Sequence, residues 1–190
     1  MIRDGLSARR LCHFLAGTVL ACGVIAAGRA SAEITDATPG GFAVSESAHI
    51  AASSDKVYAA LIAPQRWWSG KHTFSGNAAN LTFDAKAGGC WCETMPDGGS
   101  VEHMTVVFAS PGKVLRLRGA MGPMQEMAVL TVMTWSLKPS EGGTDVTLVS
   151  STGGYAKGGL QNLAPIVDHV FGEQLARLKA YVETGAAAPN

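Results

Sequence analysis

Between residues 160 and 182 the apolar side chains Leu163, Val167, Phe171, Leu175, Leu178 and Val182 recur at spacings of three and four. They share one face of a 3.6-residue period, which predicts an amphipathic helix about 30 Å long. Upstream the period drops to two. Val132, Thr134 and Ser136 alternate with Met133, Trp135 and Leu137, and Thr144, Val146, Leu148 and Ser150 alternate with Asp145, Thr147 and Val149. Each strand-like run between 81 and 151 ends at glycine or proline, as at Gly88-Gly89, Pro96-Asp97-Gly98 and Ser110-Pro111-Gly112, so neighbours should pair antiparallel through tight turns. Before them, Phe42 to Ile50 reads as a first strand, Ser53 or Ser54 can cap a short helix over 55–61, and Pro64 opens a second helical turn carrying Trp67 and Trp68. A polar loop fills 69–80. The order predicts an α+β domain: one strand, two short helices, further strands, one long helix.

The leader stands apart from this pattern. Arg3, Arg9 and Arg10 precede an apolar run over 11–27, and Ala30-Ser31-Ala32 forms a processing site, so residues 1–32 read as a signal peptide of an exported, periplasmic or secreted protein. A twin-arginine signal at Arg9-Arg10 and lipidation at Cys22 are weaker variants. Residues 33–41 then form a flexible lead, 42–183 the domain and 184–190 a disordered tail. After processing, 11 basic and 14 acidic side chains remain, a net charge of −3. With no basic run, nucleic acid is a poor partner, and no other segment is long and apolar enough to span a membrane. Only Cys90 and Cys92 stay in the mature chain. Two thiols serving as small apolar side chains is the preferred reading, with a CxC disulfide as the alternative.

Three stretches resemble a known family. The residues Val57-Tyr58-Ala59-Ala60-Leu61 with Pro64 and Trp67-Trp68 are similar to the first helix pair of the START-like, or SRPBCC, superfamily. Gly88-Gly89-Cys90-Trp91-Cys92-Glu93 resembles its turn into an aromatic or polar strand, and 168–182 its terminal helix. The branch most similar is that of the chaperone-ATPase activator homologues and polyketide cyclases. The resemblance implies a helix-grip fold: a strongly curved antiparallel sheet of about six or seven strands wrapped around the C-terminal helix. It also implies a cavity between sheet and helix, for which small residues on the helix (Ala164, Gly172, Ala176) would leave room.

Candidate site residues follow from chemistry at these places. Trp67 and Trp68 are either core or a lid over the cavity. His103 is a candidate acid or base, set against a structurally hydrogen-bonded histidine. Glu93 shares a face with Trp91; if that face is inward, its carboxylate demands a partner such as Arg116 or Arg118, which otherwise read as exposed charges. The loop over 119–127 offers Met121, Met124 and Gln125, either as an adaptable rim to a ligand entrance or as a plain flap. Trp135, Phe171 and Tyr155 could add an aromatic wall and a hydroxyl. No cofactor motif or metal-ligand set is present in the sequence. The function expected first is binding of a small apolar or amphipathic molecule. The alternative is a cyclase-, aromatase- or hydrolase-type enzyme using His103 with Glu93 or Tyr155, and a protein-interaction module ranks last.

Overall fold

The computed structural model describes residues 31–189. The signal-peptide reading therefore lies outside the described residues, apart from Ser31 and Ala32. The strands are β1 (Ser31–Thr38), β2 (Gly41–Ile50), β3 (Leu81–Phe83), β4 (Cys90–Thr94), β5 (Ser100–Ser110), β6 (Val114–Gly119), β7 (Ala128–Ser140) and β8 (Gly143–Tyr155). The helices are α1 (Ser54–Leu61) and α2 (Ala164–Thr184). All eight strands join one sheet in the order β1-β2-β8-β7-β6-β5-β4-β3, every pair antiparallel.

The alternation read in β2, β7 and β8 becomes burial. Phe42, Val44, Ala48 and Ile50 of β2, Met133, Trp135 and Leu137 of β7, and Val146 and Leu148 of β8 all point into one core. Leu175, Leu178 and Val182 of α2 enter the same core from the other side. Ser53 caps α1 by accepting the Lys56 N–H, and α2 stops at Gly185, whose φ of 82° is the left-handed conformation that glycine adopts without a Cβ clash.

The sheet corrects the expected architecture. Among the described residues it has eight strands and is open, with β1 and β3 at its two ends, and it is neither strongly curved nor closed around the helix. α2 lies chiefly against β2 and β1 at one side of the sheet. The additional strand comes from the stretch expected to be a flexible lead. Residues 31–38 pair along β2, supplying partners to backbone groups that a β2 edge would leave open. Two short helices were expected after the first strand. The structure has α1 followed by single 3-10 turns at Pro64–Arg66, Gly70–His72 and Ala78–Asn80. Cys90 and Cys92 form a disulfide with Cα atoms 5.4 Å apart, so the thiol reading is corrected as well.

Candidate functional site

The site begins with an irregularity in β5. Trp91 of β4 faces Met104 and the next residue, Cys92, faces Glu102, so His103 is the extra residue of a bulge. Strict alternation would put His103 and Met104 on opposite faces; the bulge buries both. Gly119 of β6 makes room for it, since a Cβ there would come within 2.6 Å of the His103 carbonyl oxygen. On β4, Trp91 points inward and Glu93 follows it.

His103 and Glu93 then meet. Nε2 of His103 lies 3.0 Å from Oε2 of Glu93, and both side chains are all but sealed from solvent. Glu93 also accepts the Phe74 N–H at 3.0 Å and the Ser75 N–H at 2.5 Å. Burial pushes its pKa up, but the hydrogen bonds from Ser75, Phe74 and His103 outweigh burial and hold it below the ordinary value. For His103, burial dominates and lowers the pKa, with Glu93 offsetting only part of the fall. The pair is thus a carboxylate beside a neutral imidazole. The carboxylate can only accept, so the imidazole proton sits on Nε2 and Nδ1 carries a lone pair. That Nδ1 is buried and has no hydrogen-bond partner among the described residues. Leaving such an acceptor unmet costs about 1–3 kcal/mol.

His103 forms part of the wall of a cavity of about 670 Å³. Leu163, Ile166, Val167, Val170 and Phe171, from the start of α2 and the turn before it, make one side. Met121, Gly122, Pro123, Met124, Glu126 and Met127 make another, and Trp68 with residues 71–74 closes the third. The last segment is tied to α2. Gln174 accepts the Ser69 N–H at 2.9 Å, Arg177 donates through Nε to the Trp67 carbonyl at 2.9 Å, and His72 Nε2 lies 3.1 Å from Glu173 Oε2. Lys71 and Glu126 put charges on an otherwise mostly apolar lining.

Among the residues singled out from sequence, Trp68, His103, Met121, Met124 and Phe171 line this cavity. Trp91 stands behind it, edge-on to Trp68 with ring centroids 4.9 Å apart. Trp67 and Trp135 are core residues, packed edge to face at 6.2 Å. Gln125 donates to the Glu102 carbonyl and lies outside the lining. Arg116 belongs to the outer face, where it donates to Thr134 and lies over the Phe108 ring; the partner of Glu93 is His103, not an arginine. Tyr155 ends β8 with 72% of its surface exposed and does not reach the cavity. The small helix residues act differently from expectation. Gly172 leaves room for the carboxylate of Glu46 on β2, Ala176 is exposed and Ala164 is packed in the core. Phe74 and Lys71, both exposed at the cavity's edge, have no mark in the sequence because the loop over 69–80 has no periodicity. Among the described residues no three His, Cys, Asp or Glu side chains converge as a metal-ligand set, and no helix is long and apolar enough to cross a membrane.

A long C-terminal helix laid on an eight-stranded antiparallel sheet, with a cavity beside it, matches the helix-grip architecture of the SRPBCC superfamily. Residues 41–183 match the model of the family described as "Polyketide cyclase / dehydrase and lipid transport", and the chain belongs to that family. Comparison with curated proteins finds no match. Solved structures similar to the chain include a conserved protein of unknown function from Enterococcus faecalis (16% identity, TM-score 0.55, covering 85% of this chain and 81% of that one). CalU16 from Micromonospora echinospora is similar at 14% identity and a TM-score of 0.54, covering 84% and 88%. An uncharacterised protein from Rhizobium leguminosarum is similar at 20% identity and 0.53, covering 82% and 98%. At these identities the likeness is one of fold.

Proposed function

We propose that the protein binds a small apolar or amphipathic molecule in the cavity between the methionine loop, residues 71–74 and the first half of α2. The observation that carries this reading is the cavity itself: about 670 Å³, walled mainly by Met, Leu, Ile, Val, Phe and Trp side chains. Such a concave apolar site with a few placed polar groups is the usual form of a small-molecule pocket. Native mass spectrometry of the purified chain after exposure to a lipid and aromatic extract should find one retained compound per chain; an empty chain throughout would remove the reading.

A second reading is favoured by the His103–Glu93 hydrogen bond. A neutral imidazole held by a carboxylate is a competent general base, so a cyclase-, aromatase- or hydrolase-type reaction is the alternative, without Tyr155 as a participant. In an active preparation, His103→Asn would depress turnover at least about a hundredfold. Within the superfamily we place the chain near the polyketide cyclases and the chaperone-ATPase activator homologues; the family match supports the first of these. Export to the periplasm or beyond is part of the proposal. The Cys90–Cys92 disulfide supports it, because such bonds persist in oxidising compartments.

A further inference from the structure

β4 carries two pairs of side chains on opposite faces. Trp91 and Glu93 are buried, and both support one wall of the cavity. Trp91 meets Trp68 edge-on, and Trp68 is part of the lining. Glu93 accepts the backbone N–H groups of Phe74 and Ser75, and residues 71–74 close that side of the cavity. Cys90 and Cys92 alternate with them on the other face, half-buried and bonded to each other. Their Cα atoms are 5.4 Å apart, whereas two steps along an extended strand cover about 6.5 Å. The bridge thus shortens β4 by about 1 Å at Trp91, and His103, the extra residue of the β5 bulge, stands opposite the same stretch. A disulfide that closes so short a loop adds little to the stability of the fold, and one that solvent reaches is open to exchange. It can therefore be reduced while the fold persists, and Trp91 and Glu93 ride on the backbone that would then extend.

We propose that Cys90–Cys92 is a redox switch on the cavity: a dithiol reductant opens it, β4 lengthens, and Glu93 releases the N–H groups of Phe74 and Ser75. A thiolate of the reductant attacks one cysteine sulfur, the S–S bond breaks, and a mixed disulfide forms. The reductant's second thiol then displaces that cysteine. The protein pair gains two electrons and two protons, and the donor leaves as its own disulfide. Residues 71–75 loosen, and the cavity holds its occupant less tightly. The inference rests on the cavity-binding reading above and adds to it a means of regulation.

Excess dithiothreitol without denaturant tests this on the natural chain, with alkylation and mass spectrometry counting the free thiols. Both cysteines should become reduced in a chain that stays folded. Amide exchange at Phe74 and Ser75 should then quicken about tenfold or more, while β2, β7 and β8 keep their rates. An anilinonaphthalene dye should bind the reduced chain about tenfold more weakly than the oxidised one. The double variant Cys90→Ser, Cys92→Ser should match the reduced chain and ignore dithiothreitol. A bridge that resists dithiothreitol until the chain is denatured, or whose loss unfolds it, overturns the switch. Reduction that leaves either the exchange at Phe74 and Ser75 or the dye affinity unchanged also overturns it, and leaves the cavity reading standing. Dye binding by neither form overturns the cavity reading and this inference together. If the double variant does not fold, the reduced natural chain decides.

Discussion

At position 46 the chain sets a carboxylate among Phe42, Val44, Ala48 and Ile50, the buried face of β2. Burial is the main reason its pKa is pushed up to about 8, and the charge and hydrogen bond of Asp168 raise it further. The folded form therefore keeps the proton that the unfolded chain loses near the ordinary value of 4.5. The stability tied to this site is complete below that value and is lost as pH rises through about 8. Glu46→Gln should flatten this slope, raising the melting temperature at pH 8 to 9 and changing it little at pH 4; melts across that range check it. A variant that melts lower than the natural chain at pH 9 would mean that the ionised carboxylate is stabilising. Glu46 was invisible in the sequence because a lone Glu in an alternating strand reads as an error in phase. His103 was legible as a residue and not as a position: the β5 bulge that buries it leaves no mark in the hydrophobic pattern.

At the scale of elements, the cavity depends on how residues 67–74 are held to α2. Gln174 and Arg177 project from the helix face that also carries Leu178, and they hold the backbone at Ser69 and Trp67. Gln174→Ala removes one tie and should cost about 1–3 kcal/mol, with faster amide exchange confined to residues 69–74. Uniformly faster exchange over the whole sheet would instead mark Gln174 as a general core residue. The long strands and α2 were readable because each buries one face, and burial on one face writes a period into the chain. β1 carries no such record. All its side chains are exposed, and what it contributes is backbone pairing, to which the pattern of apolar residues is blind. The loop over 69–80 is the same case, since Phe74 and Lys71 reach the cavity from single turns of 3-10 helix and bend.

At the scale of the whole molecule, an open sheet holds α2 to the side of β1 and β2, and the space left beside the start of that helix is the cavity. The disulfide lies on β4 and closes a very short loop, so chain entropy gives it a small part in stability. Reduction should lower stability by about 1–2 kcal/mol, less than a long-range bridge, as denaturant melts with and without reductant would report. Loss of folding on reduction would assign the disulfide a larger structural part. The family match and the likeness to solved structures fix the architecture; they leave the cavity's occupant to experiment. The most direct measurement is a titration with an anilinonaphthalene dye, comparing the natural chain with Val170→Trp, which puts an indole into the cavity lining. The account predicts saturable binding of one dye per chain, weakened about tenfold or more in the variant at an unchanged melting temperature. Equal binding by both chains would contradict it.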